Sequence, residues 1–199
     1  MKFLLFFLML SSFTQTNTDE IYKFTTSTKV NEWRIVNDGV MGGISKSSLM
    51  LNDFGNGQFM GHVSLANNGG FASIQLNKTI KLLDEKKFII LRIKGDGKSY
   101  EFRLKSQISQ PESYVHQFIT TGDWEIIKLP ISEFYPQFFG RKLNTPNFNF
   151  KSIEQLSFLI ANKNLIWQAI RTRCNEAHTR EIKVFCIRNV KQSFMDCRH

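Results

Sequence analysis

The chain has 199 residues, 42% hydrophobic and 22% charged, a composition that suits one globular domain with a buried core and excludes intrinsic disorder. A formal charge of +9 would fit nucleic acid, but residues 165–199 hold seven basic side chains against three acidic ones, and the remainder is only mildly basic. With no basic helix and no aromatic RNP-like box, a dedicated nucleic-acid binder is not expected.

The first predicted element is a signal peptide over residues 1–18. Lys2 makes a positive start, residues 3–10 are an unbroken apolar run, and residues 11–16 form a small, polar exit. Eight apolar residues fall far short of the ~20 needed to span a bilayer, so no stable membrane anchor is expected. The expected destination is export, to a periplasm or the extracellular space. The alternative is the mitochondrion, although presequences of that kind are Arg-rich and residues 1–18 contain no Arg.

The folded domain is expected over residues 19–163. From Ile21 to Leu129, short alternating runs separated by turn residues predict an all-β protein, a sandwich or a barrel. A strand-like run at 33–36 breaks at Asn37-Asp38-Gly39-Val40-Met41-Gly42-Gly43 and re-enters an extended segment. Runs 45–51 and 58–65 flank a hairpin loop at 52–57, and the turn Asn67-Asn68-Gly69-Gly70 leads into 71–76. Runs 88–94 and 99–105 are joined across Gly95-Asp96-Gly97-Lys98, and runs 114–120 and 124–129 across Thr121-Gly122-Asp123.

Alternation is clearest in the middle of the chain. Tyr100, Phe102 and Leu104 share one face, while Glu101, Arg103 and Lys105 share the other; Ile89, Leu91 and Ile93 likewise oppose Arg92 and Lys94. One dry and one wet face is the pattern of an antiparallel sheet in a sandwich. Phe supplies 19 residues, so flat rings are expected between the layers, with Trp33 and Trp124 in the core.

After Leu129 the texture changes. Residues 130–141 read as a long ordered loop with one helical turn, and 152–161 resume as a strand. Residues 164–199 form an atypical tail holding all three cysteines, in which only 182–187 looks strand-like. Its abrupt change of composition fits either a divergent end or an error of reading frame.

Candidate chemistry is sparse. The Asp38–Gly43 turn lacks the following helix and the Lys-Ser/Thr of a phosphate loop, so Asp38 is expected to cap it while Gly39, Gly42 and Gly43 supply backbone angles; a ligand-facing turn is the alternative. Gly69, Gly70, Gly95 and Gly97 are expected in the same structural role. Nothing forms a dinucleotide fingerprint, and no cofactor is expected. In the tail, Cys174, His178, Cys186, Cys197 and His199 lack the two tight ligand pairs of a zinc site, so no metal is expected. The acids Asp38, Asp53, Asp96, Glu101 and Asp123 lie mostly in turns rather than as a facing pair, and there is no Gly-x-Ser-x-Gly elbow, so the chain is not expected to be an enzyme. Trp33, Trp124, Tyr100, Tyr114 and Tyr135 could stack on sugar rings, though filling the core is the expected role. Asp38, Arg92, Arg103 and Arg141 are the candidate binding residues.

Ordered blocks of this sequence resemble the complex I intermediate-associated protein 30 family, whose name refers to NADH:ubiquinone oxidoreductase assembly. They are Asn37–Gly43 with Ser45, then 59–65 running into 68–73, then 93–100, and finally Trp124, 129–134, Gly140-Arg141 and 158–161. The resemblance spans about residues 33–163 and implies a galactose-binding-domain-like β-sandwich, or jelly roll. It further implies a non-enzymatic binding domain, a chaperone-like assembly factor for respiratory complex I with a protein partner. The alternative, by likeness of fold, is a carbohydrate-binding module of an exported protein. The family closes with an alternating strand shortly after the position of Lys163, and the tail departs from that pattern.

Overall fold

The computed structural model describes residues 19–82, 88–161 and 178–190. Thirteen strands are described: β1 Asp19–Lys23, β2 Trp33–Asn37, β3 Lys46–Leu51, β4 Gly57–Val63, β5 Phe71–Lys81, β6 Phe88–Lys94, β7 Ser99–Lys105, β8 Ser113–Ile119, β9 Trp124–Pro130, β10 Tyr135–Phe138, β11 Arg141–Lys142, β12 Ser152–Ala161 and β13 His178–Val190. They form two antiparallel sheets. One runs β3-β4-β13-β6-β9, with β1 also paired to β13; the other runs β11-β10-β8-β7-β12-β5-β2.

The core lies between the sheets, filled by the inward rows that alternation predicts. Ile89, Leu91 and Ile93 of the six-stranded sheet and Phe102, Leu104, Phe158 and Ile74 of the seven-stranded sheet are buried together. Rings meet edge to face, as at Phe102–Phe158, 4.8 Å apart, and Tyr22–Trp33, 5.4 Å apart. That geometry sets the positive edge of one ring against the negative face of the next.

The β3–β4 pair is the expected hairpin. Asn52 Oδ1 accepts from the backbone N–H of Phe54 and of Asn56, closing the loop. Two other expected joins are different. β6 and β9 lie in one sheet, β7 and β8 in the other, so the glycine turns at 95–98 and 121–123 carry the chain between layers. The two corners pack together: Thr120 N–H donates to Lys98 O, and Gly97 N–H donates to Thr120 Oγ1. A short glycine turn serves a hairpin or a corner equally, and strand alternation does not name the sheet.

Three further expectations are corrected. Residues 135–138 and 141–142 form β10 and β11 where a loop was expected, with one 3₁₀ turn at Ile131–Glu133. Pro136 conceals the strand signal, because a residue without an N–H suits only the margin of a sheet, and β10 is followed outward only by two-residue β11. Trp124 is 39% exposed rather than buried. It starts β9, the last strand of its sheet, and faces outward beside Arg92, whose guanidinium lies 5.6 Å from the ring centre. Finally, the tail contains a long strand. β13 pairs with β4, β6 and β1 inside the six-stranded sheet, so the sandwich is closed beyond the expected boundary at 163. The expected signal peptide and the tail's Cys174, Cys197 and His199 lie outside the described residues. Among the described residues no helix is long and apolar enough to cross a membrane.

Candidate binding surfaces

The corner after β2 is built around one carboxylate. Asp38 is fully buried, and its Oδ1 accepts from Ser45 N–H at 2.9 Å. Its Oδ2 accepts from Gly70 N–H at 2.6 Å, from Phe71 N–H at 3.3 Å and from the Ser45 hydroxyl. A single side chain thus ties three segments together: its own turn, the start of β3 and the start of β5. Burial alone would push its pKa up, but hydrogen bonds from Ser45, Gly70 and Phe71 hold it below the usual carboxylate range.

Glycines let the backbone close on that carboxylate. A Cβ on Gly43 would strike the Asp38 carboxylate and sit 2.8 Å from the Gly69 Cα, and one on Gly69 would lie 2.6 Å from Asp38 Oδ2. Gly42 ends the 3₁₀ turn at a φ of 87°, a left-handed conformation that glycine adopts without strain. Gly70 and Gly97 also have positive φ, and the Gly95 α-carbon abuts Thr120. Gly39 has neither a positive φ nor a neighbour within 4 Å of an added Cβ. The turn so pinned displays Val40, Met41 and Ile44, which are 73%, 52% and 54% exposed.

A second polar group lies on the outward side of the seven-stranded sheet, on the face expected to be wet. Glu101 there is only 3% exposed. Arg103 Nε donates to Glu101 Oε2 at 2.8 Å, and Gln117 Nε2 donates to Glu101 Oε1 at 3.2 Å. Arg103 Nη2 also donates to Gln137 Oε1 at 2.9 Å. Cross-strand register sets Tyr135, Val115, Arg103, Ser157 and Gln75 in one row across β10, β8, β7, β12 and β5. Burial and the nearby Glu101 push the Tyr135 hydroxyl pKa up, with Arg103 acting in the opposite direction.

The four candidate binding residues are not brought together. Asp38 is in the corner, Arg103 on the seven-stranded sheet, Arg92 on the outer face of the other sheet, and Arg141 on β11 at the far margin. Of the possible stacking rings, Trp33, Tyr100 and Tyr114 are buried, whereas Tyr135 is half-buried on the outer face. Sequence reasoning missed Gln117 and Gln137, which only cross-strand register places beside Glu101. Among the described residues, no three His, Cys, Asp or Glu side chains gather as a metal site.

The family 11 carbohydrate-binding module of a cellulosomal cellulase of Clostridium thermocellum superposes with a TM-score of 0.64 at 11% identity, over 93% of this chain and all of that one. A second structure of a family 11 module from Clostridium thermocellum, in complex with a β-1,3-1,4-mixed-linked tetrasaccharide, gives a TM-score of 0.59 at 14% identity, over 87% and 95% of the two chains. At such identity the likeness shows the fold alone: a galactose-binding-like jelly-roll sandwich. By sequence, a probable complex I intermediate-associated protein 30, mitochondrial, of Caenorhabditis briggsae is 32% identical over 143 residues. Its counterpart in Caenorhabditis elegans is 31% identical over the same length. Each match covers 60% of this chain and 42% of the relative, so the chain spans less than half of these relatives. The model of the family matches residues 22–169, and the chain therefore belongs to the complex I intermediate-associated protein 30 (CIA30) family.

Proposed function

We propose that the chain is a non-catalytic binding domain that associates with a protein partner, in the manner of a chaperone-like assembly factor for respiratory complex I. One observation carries this reading beyond family membership. The Asp38 corner is locked by buried hydrogen bonds, yet it holds Val40, Met41 and Ile44 out in water. A backbone already fixed in place loses little freedom on docking, so a tip that presents apolar side chains from it suits a protein contact. The test is native-gel migration of the tagged chain beside complex I assembly intermediates, with a Val40→Asp/Met41→Asp variant alongside. Co-migration lost in the variant supports the reading, and a chain that never co-migrates overturns it.

Location is proposed on two grounds that point different ways. The relatives are named mitochondrial, the compartment that the complex I reading requires, whereas this chain's own apolar, Arg-free first residues favour export, which suits the carbohydrate reading instead. Imaging of a C-terminally tagged full chain against mitochondrial and secretory markers decides between them.

A second reading, carbohydrate binding, is favoured by a different observation. Glu101, Arg103, Gln117 and Gln137 gather side chains that both donate and accept on the outer face of one sheet, in the fold of the carbohydrate-binding modules.

A further inference from the structure

Resting on the carbohydrate reading, we infer that the outer row on β10, β8, β7 and β12 is a saccharide site, and that its ligand is an uncharged glycan lying across the strands with adjacent hydroxyls against Arg103 and Glu101. Charge decides the ligand class. Arg103 and Glu101 neutralise each other at 2.8 Å, so an anionic ligand would have to compete with the carboxylate already on that guanidinium. Beside the pair stand neutral amides and a hydroxyl, Gln117, Gln137, Ser157 and Gln75, while Lys105, a further cation on this face of β7, donates to Gln110 O at 2.7 Å and has Glu112 nearby to offset its charge.

Hydroxyl chemistry matches this inventory. A sugar hydroxyl donates and accepts at once, as the side chains here collectively do. Two neighbouring hydroxyls, one accepting from Arg103 and one donating to Glu101, leave neither group without a partner. The Arg103–Glu101, Gln117–Glu101 and Arg103–Gln137 bonds run between side chains, so exchanging them leaves the strand ladders intact. The row is also long enough for a chain: from β10 to β12 it crosses three strand intervals of ~4.8 Å, roughly 14 Å. At one end the half-buried Tyr135 ring offers an apolar face, with exposed Lys142 Nζ 5.0 Å from its centre. Val115 and Ser157, in the middle of the row, are buried, so a ligand meets the side chains of Arg103, Gln117 and Gln75 and the Tyr135 ring rather than the floor of the row.

The experiment screens the full chain on an array of neutral and acidic glycans, followed by titration calorimetry with the best neutral one. Arg103→Ala is expected to weaken binding at least roughly tenfold, the loss of a charged hydrogen bond. Gln117→Ala is expected to weaken it roughly threefold, and because Gln117 is exposed it keeps the test valid should Arg103→Ala fold poorly. Ile126→Ser, exposed on the other sheet, is expected to change nothing. Neutral-glycan binding indifferent to both Arg103→Ala and Gln117→Ala overturns this site while leaving the carbohydrate reading intact. Preference for acidic glycans overturns the ligand class. No binding to any glycan removes the carbohydrate reading and the site with it.

Discussion

Among the described residues two carboxylates are buried, and they are satisfied in opposite ways. Asp38 is held by backbone N–H groups of Ser45, Gly70 and Phe71 and by the Ser45 hydroxyl. Glu101 is held by side chains, those of Arg103 and Gln117. Backbone donors cannot turn away without moving a strand, so Asp38 is an anchor. Side-chain donors can rotate, so the Glu101 group can trade partners with a ligand. The same chemical group thus builds the fold in one place and offers a surface in the other.

The largest effect is expected from breaking the anchor. Asp38→Ala leaves several buried N–H groups without an acceptor and should cost about 3–4 kcal/mol, read as a lower urea midpoint. The same residue sets an acid limb. Its folded pKa lies below the unfolded value, so its stabilisation is complete above the ordinary carboxylate range and is lost as pH falls through the lowered folded pKa. Asp38→Asn should flatten that limb in unfolding curves taken at successive pH values. An unchanged acid limb would assign the linkage to other carboxylates.

Next in size is the packing around the anchor. Gly69→Ala drives a methyl group against Asp38 Oδ2 and two backbone oxygens and should cost about 2–3 kcal/mol. Gly39→Ala, with open space around it, should stay within about 0.5 kcal/mol. Equal thermal shifts for the two would sink the close-packed account of this turn.

Glu101→Gln keeps the shape of the second group and removes its charge. The expected cost is about 1–2 kcal/mol, below that of Asp38→Ala, because Arg103 can turn to water or to Gln137. A cost matching that of Asp38→Ala would mean the side-chain network is as rigid as the backbone one. Smallest of all, Val40→Asp with Met41→Asp should leave the melting temperature nearly unchanged, since both side chains already face water. Their effect belongs to association alone.

Much of the architecture was legible in the chain because alternation reports which side of a strand is dry. Tyr100, Phe102 and Leu104 are buried together, as their spacing implies, and the Asn52 hairpin closes where its turn residues stand. Alternation is silent about partners. It could not say that β6 and β7 belong to different sheets, that Trp124 would begin a marginal strand, or that β13 would sit inside the six-stranded sheet. Nor could it show that Glu101, on a face patterned as wet, would be buried under Arg103 and Gln117. What residue order determined on its own was local: strand faces, turn positions and the family-like blocks. Tertiary structure alone decided the two candidate surfaces, because a carboxylate becomes an anchor or an exchangeable contact only through the donors that distant segments bring to it.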